Sequence, residues 1–180
     1  MTLSNFAILL GACIALFQVW ILLKPAEFTA SLRKFHRSET WGYVLMAIGT
    51  AWFLYNLNRE AIAEFANYKT YMLVGFSAVA VATCVFVTDY LAVRGLSITM
   101  LMLAAFTLSL TRLSDSPWRL VLVVAAYAWV VFAMWWMISP WRFRDLMIWM
   151  TATPDRVRRL AFGRLAFALF VVILGATVLR

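Results

Sequence analysis

Asp89 and Arg94 stand five residues apart in Asp89-Tyr90-Leu91-Ala92-Val93-Arg94-Gly95, at the end of a long apolar run. Ionisable groups in membrane-immersed sequence are rare and mark proton relays, cation sites or counter-ions. If a helix runs through Asp89 and bends at Arg94-Gly95, the carboxylate lies ~7.5 Å from Arg94 along the axis, about one and a half turns inside the bend. It can then pair with Arg94 or with a base from a neighbouring loop. Two chemistries fit this candidate ion pair or polar site. One is a proton or cation site. The other is a helix-end ion pair in the headgroup layer that fixes the turn. The run from Thr70 to Thr88 is already long enough to cross a bilayer without Asp89, which favours the second.

The remaining chemistry-bearing residues are sparse. Lys69 follows Tyr68 near Glu60 and Glu64 and reads as an interfacial side chain that snorkels to water. His36 is the single histidine, too few for a bis-His haem, and it sits in a basic stretch as a solvated residue. Metal sites normally need three or four ligands, and no such cluster of His, Cys, Asp and Glu is present in the sequence. Cys13 and Cys84 fall in separate apolar runs and read as small packing residues. There is no G-x-S-x-G, no glycine-rich phosphate loop and no H-E-x-x-H. The chain is therefore expected to be no enzyme, with no cofactor, catalytic residue or metal.

The formal charge is +8, yet it does not read as a nucleic-acid footprint. Arg33, Lys34, Arg37, Arg142, Arg144, Arg156, Arg158 and Arg159 lie in two basic connections, where they are candidate contacts for anionic inner-leaflet lipids or an acidic partner. Arg164 follows closely in the same cluster. Simple fixing of topology is the plainer reading.

These groups must be held by something, and composition says what. Of 180 residues, 65% are hydrophobic and 13% charged; the mean hydropathy is +0.87. Soluble domains are about 25% charged. Disorder needs the opposite composition. Apolar runs occur over 5–23, 41–57, 70–91, 96–111, 119–138 and 160–179. As one helix, 70–111 would be ~63 Å long, twice the ~30 Å hydrocarbon core, so it must reverse; Arg94-Gly95 is the charged, flexible break available. Unbroken runs such as Leu120 to Val124 exclude the alternation of a barrel strand. The expected fold is all-α: a single transmembrane domain over 1–180, a bundle of about six transmembrane helices with two short interfacial amphipathic helices.

Orientation follows from Lys and Arg. Lys24, Arg33, Lys34, Arg37, Arg94, Arg142, Arg144, Arg156, Arg158, Arg159 and Arg164 fall on one side of six spans; Arg59, Lys69, Arg112, Arg119 and Arg180 fall on the other. Both long basic loops are therefore expected in the cytoplasm and both termini outside. Trp20, Trp41, Trp135, Trp136, Trp141 and Trp149 mark the cytoplasmic interface, Trp118 the other, and Trp52 and Trp129 fall deeper as packing residues. The start, Met1-Thr2-Leu3-Ser4-Asn5, lacks the positive charge of a cleavable signal, so the first run is expected to be retained.

A unit recurs. After Pro25 and after Pro140, apolar residues stand at +3, +7 and +10: Phe28, Leu32 and Phe35, then Phe143, Met147 and Met150. That spacing makes one helical stripe, with proline suited to the first turn. Segments 25–37 and 140–150 read as short helices in the headgroup layer, with most of their basic residues off the stripe. Each is followed by a capping residue, Ser38 or Thr153, and another span. Spans one and two, and five and six, thus look like two copies of one hairpin. Small-residue faces at Gly11-x-x-x-Ala15 and Gly75-x-x-Ala78-x-x-x-Ala82 suit close helix approach, within the chain or with a partner.

The second hairpin, Ser139-Pro140-Trp141-Arg142-Phe143-Arg144-Asp145 with Thr153-Pro154-Asp155-Arg156 and a glycine-bearing last span, resembles small two-span inner-membrane proteins of the YjeT type over about residues 125–179. The whole chain, with its Asp89 to Gly95 motif, is similar to uncharacterised multi-pass proteins of environmental bacteria. The resemblance implies a bacterial cytoplasmic membrane and carries no activity. The expected role is a non-catalytic scaffold, assembly factor or accessory subunit whose partner is the bilayer together with another membrane protein or a second copy. The alternative is a small ion or solute carrier or channel with Asp89 in a polar path. A lipid-directed intramembrane enzyme would need several polar groups converging at one depth.

Overall fold

The computed structural model of the protein describes residues 2–59 and 68–179. Met1, Glu60, Glu64 and Arg180, used above, lie outside the described residues. Among the described residues there is helix and no strand: α1 (Leu3–Leu23), α2 (Pro25–Phe35), α3 (Glu39–Arg59), α4 (Lys69–Phe86), α5 (Leu91–Thr111), α6 (Arg119–Ile138), α7 (Pro140–Met150) and α8 (Pro154–Thr177). Helices α1, α4, α5, α6 and α8 are long and apolar enough to cross a membrane. The protein is thus a helical membrane protein. Helix α3 has the length, 21 residues, but Trp41, Tyr43, Trp52, Tyr55, Asn56 and Asn58 dilute its aliphatic content, and it is not among these five.

Local sequence explains where the helices start. The Thr2 side chain accepts from the Asn5 N–H ahead of α1. Ser38 Oγ accepts from Trp41 N at 3.3 Å ahead of α3. Thr153 accepts from Arg156 N at 3.3 Å, with Pro154 in the first turn of α8. Each cap satisfies a backbone donor that the helix cannot. The two short helices, α2 and α7, both begin at proline and both run 11 residues. On α7 the stripe Phe143, Met147 and Met150 is buried; on α2 Phe28, Leu32 and Phe35 are half-buried while Arg33 and Lys34 are exposed.

The chain divides into two compact units, one of Met1–Arg33, Ala104–Ala128 and Arg144–Arg180, the other of Lys34–Leu103 and Trp129–Phe143. In the first, α1 and α8 run antiparallel at close range. The Ser4 hydroxyl donates to the Gly175 carbonyl at 2.7 Å. A Cβ on Gly11 would lie 2.8 Å from the Ala168 carbonyl, and one on Gly175 would lie 2.9 Å from Ile8. Small residues let the two backbones approach, which is how helices associate where lipid removes the hydrophobic drive. Leu122 of α6 joins Ala7, Val171 and Leu174 in the core. At the other end of the pair Ile21 packs on Val157 and Ala161.

In the second unit α3 and α5 run parallel. Gly42 meets Leu91, Gly95 meets Leu45 and Met46, and Gly49 meets Ile98, each within 3 Å of a would-be Cβ. Helix α4 lies antiparallel beside them, touching α3 through the edge-to-face rings of Phe53 and Phe76 at 5.0 Å. No residue of α4's apolar window is buried.

Trp136 departs from its expected place in an aromatic belt. It is 9% exposed and packs edge-on against Phe143 at 5.0 Å, with Phe132 one turn back at 5.6 Å. Its neighbour Trp135 faces outward, because adjacent residues on a helix point about 100° apart.

Candidate functional site

The reversal between the third and fourth apolar runs is not at Arg94-Gly95. Helix α4 ends at Phe86, where the Val87 N–H reaches back to Thr83 O at 2.9 Å. The chain turns over Val87 to Tyr90, and α5 starts at Leu91. Tyr90 makes the turn by adopting a left-handed backbone, φ 57°. Gly95 serves a different end: a Cβ there would sit 2.7 Å from Met46 N, so the glycine sets the close α3–α5 contact.

This relocation separates Asp89 from Arg94. Asp89 is an exposed turn residue, not one and a half turns inside a helix. Arg94 lies in the first turn of α5 and is half-buried. The two are not among the ion pairs of the described residues, which include Lys24–Glu27 and Arg144–Asp145, each at 2.9 Å. Because Tyr90 reverses the chain between them, each meets a different environment.

Asp89 lines a polar niche of about 350 Å³ with His36, Arg37, Ser38, Glu39 and Thr88. The niche joins the α2–α3 connection to the α4–α5 turn. His36 is not simply solvated there: its ring stacks on Tyr90, centroids 5.9 Å apart and 20° from parallel. This gathers one imidazole, one guanidinium and two carboxylates at a helix-end surface. Such a set can bind a hydrated cation or exchange protons with water. Among the described residues no three His, Cys, Asp or Glu side chains come together as metal ligands.

Arg94 points into a different space. An apolar groove of about 400 Å³ runs between α4 and the α3–α5 pair. Helix α4 contributes Phe76, Val79, Ala80 and Thr83, the i, i+3, i+4, i+7 face of one helix. Sequence reasoning missed this groove. Its one available signal was that spacing, which is shared by ordinary packing faces. The opposite face of α4, including Val74, Ser77, Ala78 and Val81, lines a shallow open channel on the outside of the unit. Gly75 has no atom within 4 Å of a would-be Cβ.

The basic candidates divide by what they touch. Arg33 donates to Thr151 O at 3.5 Å and Arg156 to Trp149 O at 2.9 Å. Arg156 also lies 4.8 Å over the Trp149 ring. These cations satisfy carbonyls at the end of α7, where the helix dipole is negative. Arg144 binds Asp145 through Nε and Nη2. Lys34, Arg37, Arg142, Arg158 and Arg159 are exposed. Lys69 donates to the Asn58 carbonyl, so it links the ends of α3 and α4. Cys13 and Cys84 are free thiols.

A small chamber of about 20 Å³ lies under α2, bounded by Gln18, Ile21, Met150 and Arg164. Gln18 is 4% exposed; its Oε1 has no hydrogen-bond partner. Arg164 Nη2 is 3.1 Å from Met150 Sδ. Comparison with known proteins yields no match: no family model, no curated protein and no solved structure is similar to this chain.

Proposed function

We propose that the protein is a non-catalytic scaffold, assembly factor or accessory subunit of a membrane complex, docking a transmembrane helix of a partner on α4. The observation that carries this reading is the bare outer face of α4. Gly11, Gly42, Gly49, Gly95 and Gly175 all sit where a Cβ would strike a neighbouring helix; Gly75, like Gly163 on α8, faces open space, and Gly75 alone of these two lies on a helix with no buried residue. Lipid tails do not require glycine; close helix approach does. Gly75, Ala78 and Ala82 form a small-residue ridge on a helix that touches α3 but has no fully buried residue. A ridge of this kind fits another helix better than it fits acyl chains.

The membrane assignment within this reading is a bacterial cytoplasmic membrane with six crossings and both termini outside. The antiparallel α1–α8 pair supports an even number of crossings, because Ser4 and Gly175 lie at the same level. Five helices alone would leave the two ends on opposite faces; α3, parallel to α5 along its length, supplies the sixth. The excess of basic residues in the loops after α1 and α6 supports a cytoplasmic side for those loops.

Purification from native membranes in mild detergent tests the role. A stoichiometric companion is expected, lost in Gly75→Leu while helix content stays unchanged. A protein that purifies alone and transports ions across vesicles overturns the reading. The second reading, a small ion or solute carrier with Asp89 in a polar path, draws on the niche of His36, Arg37, Glu39 and Asp89. It expects an ion flux that Asp89→Asn abolishes in a folded protein.

A further inference from the structure

The groove on the inner side of α4 has the chemistry of a lipid site. Its walls include Met46 and Phe53 of α3, Phe76 and Ala80 of α4, and Ile98 and Met102 of α5. At about 400 Å³ it falls within the range of small-molecule pockets. Protein interiors are close-packed, so an apolar space of this size between helices is filled by something apolar. In a bilayer the apolar filler at hand is an acyl chain. Methionine at Met46, Met102 and Met137 suits a flexible occupant, since thioether side chains adapt to irregular shapes.

One charge interrupts these walls. Arg94 is half-buried, and its Nε is buried with no hydrogen-bond partner. Asp89 does not neutralise it, and no ion pair of the described residues includes it. A guanidinium set in an apolar wall calls for an anion, and its planar fork matches phosphate oxygens. Position matters as much as charge. Arg94 lies in the first turn of α5, beside the turn over Val87 to Tyr90. From Arg94 to Met102 the groove follows α5 for ~12 Å toward mid-membrane. Charge at the rim and methyl groups inward is the polarity of a phospholipid in its own leaflet.

We propose that this groove holds one acyl chain of an anionic phospholipid, with its phosphate on Arg94. Gly75 is not among the residues that line this groove, so the site stands or falls independently of the partner reading. It is also distinct from the exposed arginines of α7 and α8, which attract headgroups without enclosing a chain.

The test uses the full chain, stripped of lipid in detergent and incubated with phosphatidylglycerol or phosphatidylcholine before native mass spectrometry. Wild type should retain one phosphatidylglycerol and little phosphatidylcholine. Arg94→Gln should retain at least tenfold less. Ala80→Phe, which fills the groove and keeps the charge, should lose the lipid too. A triple Gln variant of Arg156, Arg158 and Arg159 should retain it. Helix content by circular dichroism identifies folded variants. A measurement on unmodified protein stands beside them: its thermal midpoint should rise with phosphatidylglycerol and not with phosphatidylcholine. Equal retention of both lipids overturns the proposal. So does retention by folded Arg94→Gln, release by the triple variant, or stoichiometric replacement of the phospholipid by a free fatty acid.

Discussion

The Ser4 hydroxyl and the Gly175 carbonyl meet at 2.7 Å although 171 residues separate them. Hydrogen bonds between helices in lipid are worth about 0.6 kcal/mol on average. The bond is therefore a minor part of what joins α1 to α8; the larger part is the contact that small residues permit. A side chain at Gly175 would meet Ile8 Cγ1 at 2.9 Å and Ala7 Cβ at 3.1 Å. Gly175→Val should destabilise the protein by about 1–3 kcal/mol through overpacking. Ser4→Ala should cost about 1 kcal/mol or less. Gly163→Ala is the control: nothing lies within 4 Å of its Cβ position, and helix propensity favours alanine by up to ~1 kcal/mol. Thermal unfolding in one detergent ranks the three; a Gly163 variant as damaging as the Gly175 variant would contradict the packing.

Tyr90 at φ 57° occupies a region that costs an L-residue about 1–2 kcal/mol. Tyr90→Gly removes that strain but forfeits the ring stack on His36, worth about 0.5–1.5 kcal/mol. It should be close to neutral. Tyr90→Val keeps the strain, adds β-branching and loses the stack, and should be clearly destabilising. If Val and Gly unfold at the same temperature, the left-handed turn is absent.

Gln18 Oε1 is buried without a partner. Such a group costs about 1–3 kcal/mol, and an apolar residue of similar shape removes the cost. Gln18→Met should hold or raise the thermal midpoint, by about 2–4 °C per kcal/mol in a chain of this size. A drop in the midpoint would show that the amide is satisfied.

Arg156 closes the end of α7 by its bond to Trp149 O and its place over the Trp149 ring. Arg156→Ala should destabilise by about 1 kcal/mol, and Arg156→Lys should recover only part of this, because lysine lacks the planar group. Trp149 fluorescence reports the local change; an unaltered emission in Arg156→Ala would place the guanidinium elsewhere.

Much of this architecture could be read from the residues. The run 119–138 and the short helix 140–150 coincide with α6 and α7 because Pro140 and long aliphatic stretches mark their ends. The Ser38 and Thr153 caps follow from side-chain oxygen ahead of a helix. The α4–α5 reversal was misplaced because Gly95 resembled a break. In lipid, glycine more often marks close approach, and a tyrosine in a left-handed turn leaves no trace in sequence. That error tied Asp89 to Arg94. The groove was invisible for a related reason: four helices supply its walls, and each of its apolar residues alone is ordinary. Trp136 is assigned to the interface by its place near a span end, which does not reveal that its helical phase turns it inward.

The contact between Ser4 and Gly175 also sets a clock. At 5–20 residues per second, a ribosome needs roughly 10–30 s to traverse the stretch separating them. Throughout that interval the leading segment resides in the bilayer with Gln18 and the Gly11 face uncovered. A slower-translated 3′ message would lengthen that interval.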